Sequence, residues 1–119
     1  MDNPGRFLPL SPYQFHILLA LTDRELHGYA MILDIEQRTD GALRLGTGTL
    51  YTAIARLVEL GLIADAGRPP KEDERRRYYR LLPLGRSVLK AETARLEALV
   101  RAAHGKGVPS VSPPLLRRS

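Results

Sequence analysis

The chain has 119 residues, 44% of them hydrophobic and 26% charged, and 18 Lys and Arg against 13 Asp and Glu leave a formal net charge of +5. This suits one globular domain with a modest core and a polyanionic partner, although a need for solubility alone would also account for the charge. With no Cys there is no disulfide framework, thiolate metal site or thiol nucleophile, and no stretch reaches the ~18 uninterrupted apolar residues of a membrane span or looks like a leader, so a soluble, cytoplasmic protein without a membrane partner is expected.

Residues 1–10 contain Pro4, Gly5 and Pro9 and are expected to form an irregular arm. Ser11-Pro12-Tyr13-Gln14 then starts a helix. Ser11 caps, Pro12 suits the first helical position, and Gln14 can reach back to complete a capping box. The helix should run to about Leu21. Phe15, Ile17, Leu18, Leu19 and Leu21 cover most of its circumference, which makes it the central core helix.

Thr22 to Leu26 connect to a second helix, opened by His27-Gly28-Tyr29 and ending near Arg38. Tyr29, Ile32, Leu33 and Ile35 are expected on its core side, and Asp34, Gln37 and Arg38 on its wet side. Asp40-Gly41 is a turn, and Leu43-Arg44-Leu45 alternates like a very short first strand.

From Gly46 to Leu60 the spacing predicts a third helix. Leu50, Ile54, Leu57 and Val58 recur at i, i+4, i+7 and i+8. The opposite face reads Thr49, Thr52, Ala55 and Arg56, small, hydroxylated and singly charged. A DNA groove wants small residues for close approach and a few donors for phosphates and base edges. An ordinary surface helix has the same apolar pattern, so the segment behind the helix decides between the two.

Gly61 is a stop signal, and Leu62-Ile63 begin a strand that returns through Tyr78-Tyr79-Arg80-Leu81. The loop between them carries Arg68, Lys71, Arg75, Arg76 and Arg77 around an acidic tip of Glu72, Asp73 and Glu74. A hairpin with basic shoulders can track a phosphate backbone; the bland alternative is a solvated turn. Of Arg75, Arg76 and Arg77, one is expected to turn inward or to pair with Glu72 or Glu74. Tyr78 and Tyr79 point to opposite faces, one to the core and one to solvent, where its hydroxyl could donate to a phosphate. A helix followed by a basic two-stranded hairpin reads as a winged helix.

The last helix should span residues 83–104, with Pro83 at its start and Gly85 in its first turn. Leu89, Leu96 and Ala103 repeat at seven, with Leu99 and Val100 between them and charges at Lys90, Glu92, Arg95, Glu97 and Arg101. An apolar seam with flanking charges suits a second copy of the chain, and folding back on its own domain is the alternative. Residues 105–119, with Pro109, Pro113 and Pro114, read as a flexible tail.

No catalytic or metal constellation is present in the pattern. His16, His27 and His104 lack ligand spacing, and His27, beside Gly28, is expected to make a local hydrogen bond. Gly46-Thr47-Gly48 is not followed by the Lys and Ser or Thr of a phosphate-binding loop. The expectation is a non-enzyme without cofactor or metal.

Three stretches resemble the PadR family of bacterial transcriptional regulators. They are Leu26-His27-Gly28-Tyr29; Gly48-Thr49-Leu50-Tyr51 with Arg56-Leu57 and Gly61-Leu62-Ile63; and Arg76-Arg77-Tyr78-Tyr79-Arg80-Leu81 with Gly85. They lie in the family's order and span roughly residues 8 to 104. The resemblance implies a mainly α (α+β) chain: a winged helix-turn-helix over residues 11–82, then a C-terminal dimerisation helix of the smaller, single-helix subfamily. It further implies a homodimer that binds a palindromic operator in double-stranded DNA and represses transcription, with room for a small-molecule effector that no residue identifies. Thr47 and Thr52 stand where relatives often carry Pro, so Gly46 or Thr47 must cap the third helix, and Leu82 stands where relatives often carry Thr.

The DNA-contact candidates are thus Tyr29, Thr47, Thr49, Tyr51, Thr52 and Arg56 on the helices, and Arg75, Arg76, Arg77 and Tyr79 on the wing. The dimer candidates are Leu89, Leu96, Leu99, Val100 and Ala103. A winged-helix protein-interaction module and a structured-RNA binder are the competing readings; steep salt dependence on duplex DNA separates the first, and direct competition by RNA the second.

Overall fold

In a computed structural model, residues 3–67 and 76–111 are described. A 3-10 turn at Pro4–Phe7 precedes four helices and three strands: α1 (Pro12–Ala20), β1 (Leu26–His27), α2 (Gly28–Arg38), α3 (Thr47–Glu59), β2 (Ile63–Gly67), β3 (Tyr78–Leu81) and α4 (Pro83–Gly105). The sheet is antiparallel in the order β1-β3-β2, so β3 is its middle strand. Leu26 lies opposite Tyr79 on one side of it, and Ile63 opposite Leu81 on the other.

The capping box forms as expected. Ser11 Oγ accepts from the Gln14 N–H at 3.1 Å, and Gln14 Oε1 accepts from the Ser11 N–H at 3.1 Å. Ile17, Leu18, Ala20 and Leu21 are buried, and α1 packs against α2, α3 and α4. Met31 and Ile35 from α2, Leu50, Ile54 and Leu57 from α3, and Leu62, Ile63, Val88 and Leu89 complete one continuous core. Gly61 ends α3 at φ +77°, which its missing side chain permits. Gly85 lets α4 dock: a Cβ there would run into the Leu62 carbonyl oxygen.

Several expectations need correcting. The arm is not irregular throughout. Its 3-10 turn packs on α4, and buried Leu10 donates its N–H to Glu92 Oε2 at 2.9 Å. The first strand is Leu26–His27, not Leu43-Arg44-Leu45, which is unpaired although Leu45 is buried. A two-residue strand has no readable alternation and is made by its partner, β3. On α2 the expected Ile35 is buried and Met31 joins it, whereas Tyr29 and Leu33 are exposed; on α3, Val58 is exposed too. On α4, Leu89 is 7% exposed and belongs to the protomer's own core, so it is withdrawn as a dimer contact. Glu92, expected among the outward charges, is 2% exposed. At the end of α4 the first residues of the expected tail fold back: the Val108 N–H bonds the Ala103 carbonyl at 3.0 Å. Residues 112–119 of that tail lie outside the described residues.

Candidate nucleic-acid interface

Burying Leu50, Ile54 and Leu57 turns the opposite face of α3 outward, so Thr47, Thr49, Thr52, Ala55 and Arg56 are all exposed. Gly46 is the cap residue and offers no side-chain acceptor, which leaves the first N–H groups of α3 without a side-chain partner. Thr49, Thr52, Ala53 and Arg56 face Ser11, Tyr13 and Gln14 of α1 across an open groove of about 540 Å³. Arg56 is not idle in this state: its guanidinium is paired with Glu59 one turn on. Both groups are more than half exposed, so the pair is a weak restraint that a phosphate or a guanine edge can displace.

Two further tyrosines flank this face. Tyr29, in the first turn of α2, is 60% exposed. Tyr51 is 46% exposed, and its ring lies over Gly28. His27 caps α2, its Nδ1 accepting from the Ala30 N–H at 3.2 Å, the local hydrogen bond expected of it.

The wing rises beside α3. Arg76 and Arg77 are exposed; Arg75 and the acidic tip with Glu72 and Glu74 lie outside the described residues. Arg77 pairs with Asp65 on the facing strand, Nη1 to Oδ2 at 3.0 Å. The other oxygen of Asp65 accepts from the Gly67 N–H at 2.7 Å, so one carboxylate shapes the strand end and aims the arginine. The division of Tyr78 and Tyr79 into one core and one solvent ring gives way to two half-buried rings. Tyr78 meets the His27 ring edge-on at 5.2 Å. Tyr79 packs on the core, which weakens its candidacy as a backbone donor. Burial pushes its hydroxyl above the ordinary pKa; Asp65 and Tyr51 add to the shift, and Arg77 opposes it.

Three participants escape sequence reasoning: Tyr13, Asp65 and Gly28. Tyr13 sits in the capping turn of α1, where no periodic signal points to a groove. Asp65 has no motif around it, and only the β2–β3 register brings it to Arg77. Gly28 reads as a helix-start residue, although its place before Tyr29 in a matching motif is a signal. Among the described residues, no group of His, Asp or Glu could hold a metal ion, and no helix is long and apolar enough to cross a membrane.

The model of the transcriptional regulator PadR-like family matches residues 17–91, from α1 through the first turns of α4. The chain belongs to this family. Its members are transcriptional regulators, not enzymes. Over 96 residues the chain is 40% identical to an uncharacterised 37.1 kDa protein in transposon TN4556 of Streptomyces fradiae, covering 81% of this chain and 26% of that one. The chain therefore spans about a quarter of the length of that relative. A solved transcriptional regulator from Clostridium thermocellum is 31% identical and superposes with a TM-score of 0.69, covering 82% of this chain and 90% of that one. Bacillus subtilis PadR, solved in complex with operator DNA, is 19% identical and has a TM-score of 0.61 over 70% of this chain and 47% of that one. The helices and small antiparallel sheet are thus the winged helix-turn-helix fold of PadR regulators.

Proposed function

We propose that this chain is a cytoplasmic DNA-binding transcriptional regulator that acts as a homodimer and represses by occupying a palindromic operator. One observation carries this reading: α3 turns a small, hydroxylated, exposed face outward beside a wing that carries Arg76 and Arg77. The fold shared with a PadR protein solved on operator DNA supports it.

In helix-turn-helix docking the N-terminal half of the recognition helix enters the major groove. Thr49 and Thr52 then meet base edges or phosphates. Arg56 exchanges Glu59 for a guanine or the backbone. Thr47, Tyr29 and Tyr51 face the phosphates beside the groove, and the wing arginines follow the backbone. Electrostatic attraction rests mainly with the wing, since Arg56 is the only basic residue of α3 and Glu59 lies beside it. The second copy docks along α4 through Leu96, Leu99 and Val100, which are 37%, 55% and 54% exposed, with half-buried Ala103 continuing the line. Two recognition helices related by a two-fold axis read half-sites about 34–36 Å apart, and hence a palindrome.

The test is Thr52→Glu. The residue lies outside the core, so thermal unfolding and assembly should stay as in wild type. A carboxylate on the groove face should abolish binding to a duplex enriched from a random library by the wild-type protein. Wild-type affinity in this variant removes α3 from the interface, and the reading with it.

A further inference from the structure

Gly28 is buried although it opens a helix, and what covers it is the side chain of Tyr51. A Cβ built at Gly28 would stand 2.8 Å from Tyr51 Cζ, closer still to the phenolic oxygen, and 3.2 Å from Leu50 Cδ2. Neither the ring carbon nor the oxygen can tolerate such an approach, so the ring occupies space that only a glycine leaves open. The two residues come from different helices, α2 and α3. The phenol of Tyr51 also stands near enough to Tyr79, at the base of the wing, to disfavour ionisation of that hydroxyl. It therefore lies where α2, α3 and the wing converge. Among the described residues its hydroxyl makes no hydrogen bond, and the residue is 46% exposed.

We propose that Gly28 is a positioning residue for DNA binding: its bare Cα is the seat that fixes the Tyr51 ring and holds the hydroxyl ready to donate to a DNA phosphate. This role presupposes DNA binding through α3. An exposed tyrosine without a seat would sample several rotamers and lose freedom on binding DNA, whereas a seated ring has already lost it. A side chain at position 28 displaces the ring rather than removing a contact of its own, so its effect on affinity passes through Tyr51.

A double-mutant cycle tests this, with Gly28→Ala, Tyr51→Ala and the double variant titrated on a duplex enriched by the wild-type protein. Each single substitution should weaken binding about tenfold, the scale of one hydrogen bond to a charged acceptor. The double variant should bind no more weakly than Tyr51→Ala. The salt dependence should keep its wild-type slope, because a phenol neutralises no phosphate. Losses that multiply in the double variant overturn the proposal, because Gly28 then acts independently of Tyr51. Wild-type affinity in Tyr51→Ala also overturns it and places Tyr51 off the DNA; DNA binding itself is judged separately by Thr52→Glu. If Gly28→Ala does not fold, thermal unfolding of the double variant decides. Recovery of the Tyr51→Ala melting temperature shows that the ring was the obstacle, and continued failure to fold overturns the seat.

Discussion

The helices α3 and α4 carry the same kind of signal and use it differently. In α3, Leu50, Ile54 and Leu57 all enter the protomer's core, and the opposite face is left small and wet. In α4 the apolar line divides. Val88 and Leu89 are buried, and beyond Glu92 the line emerges, with Leu96, Leu99 and Val100 exposed. The reason is geometric. The α3 helix is 13 residues long and lies across the domain, whereas α4 runs 23 residues and outlasts the core it starts on. Periodicity therefore says that one face of a helix wants cover; it does not say whether the cover comes from the same chain.

The largest effect is expected where the exposed half of α4 is challenged. Leu96→Glu puts a charge into the proposed seam, at a cost of several kcal/mol if it is buried unpaired. Sedimentation should show a dimer in wild type and a monomer in the variant, with the helical signal retained. A wild-type monomer at tens of micromolar concentration would erase the distinction between the two halves.

Leu57→Ala challenges the other side of the comparison. It leaves a cavity in a fully buried site and should destabilise the protomer by about 2–5 kcal/mol in denaturant unfolding. Leu99→Ala, of identical chemistry at a 55% exposed site, should leave the protomer's own stability nearly unchanged and weaken only assembly. Equal losses at the two sites would mean that the end of α4 is covered within the protomer.

The junction between the two halves of α4 is Glu92. Its carboxylate accepts from the Leu10 N–H at 2.9 Å and from Arg95 Nη2 at 3.0 Å, which ties the arm to the helix. The Arg95 hydrogen bond, outweighing the opposing cost of burial and helped by the Leu10 N–H, holds its pKa below the ordinary 4.5. A depressed carboxyl pKa stabilises the fold above the unfolded value, and that contribution is lost as pH falls through the lower folded value. Stability measured from neutral pH down into the acid range should therefore fall less steeply in Glu92→Gln than in wild type. Glu92→Ala, which leaves the buried Leu10 N–H without its acceptor, should cost about 1–3 kcal/mol at pH 7. An identical acid limb in wild type and Glu92→Gln counts against the clamp.

The smallest effect concerns the wing. Arg76→Ala with Arg77→Ala should weaken binding to all duplexes alike and flatten the log–log salt dependence by roughly 1–2 units, at about 0.9 per phosphate released. The lower end is expected if Arg77 stays committed to Asp65. An unchanged slope would take the wing off the backbone and leave α3 to bind alone.

Much of this protein is legible in its sequence because the relevant signals are local. The capping box at Ser11 and Gln14, the burial of Leu50, Ile54 and Leu57 on α3, and the stop at Gly61 depend on residues a few positions apart, and they appear where the pattern puts them. The groove-facing candidates Thr49, Thr52 and Arg56 are legible for the same reason: once three apolar residues turn inward, a 3.6-residue period fixes what turns outward. What only the tertiary structure decided depends on partners far along the chain. Leu26–His27 becomes a strand because β3 lies beside it. Leu89 is core rather than seam because α4 is still over the domain at that point, and Glu92 is buried because the arm, 82 residues earlier at Leu10, folds across it. Asp65 finds Arg77 through the register of two strands, and Gly28 finds Tyr51 through the crossing of two helices. Local periodicity determines which face of an element is apolar; only the packing of elements determines what meets that face.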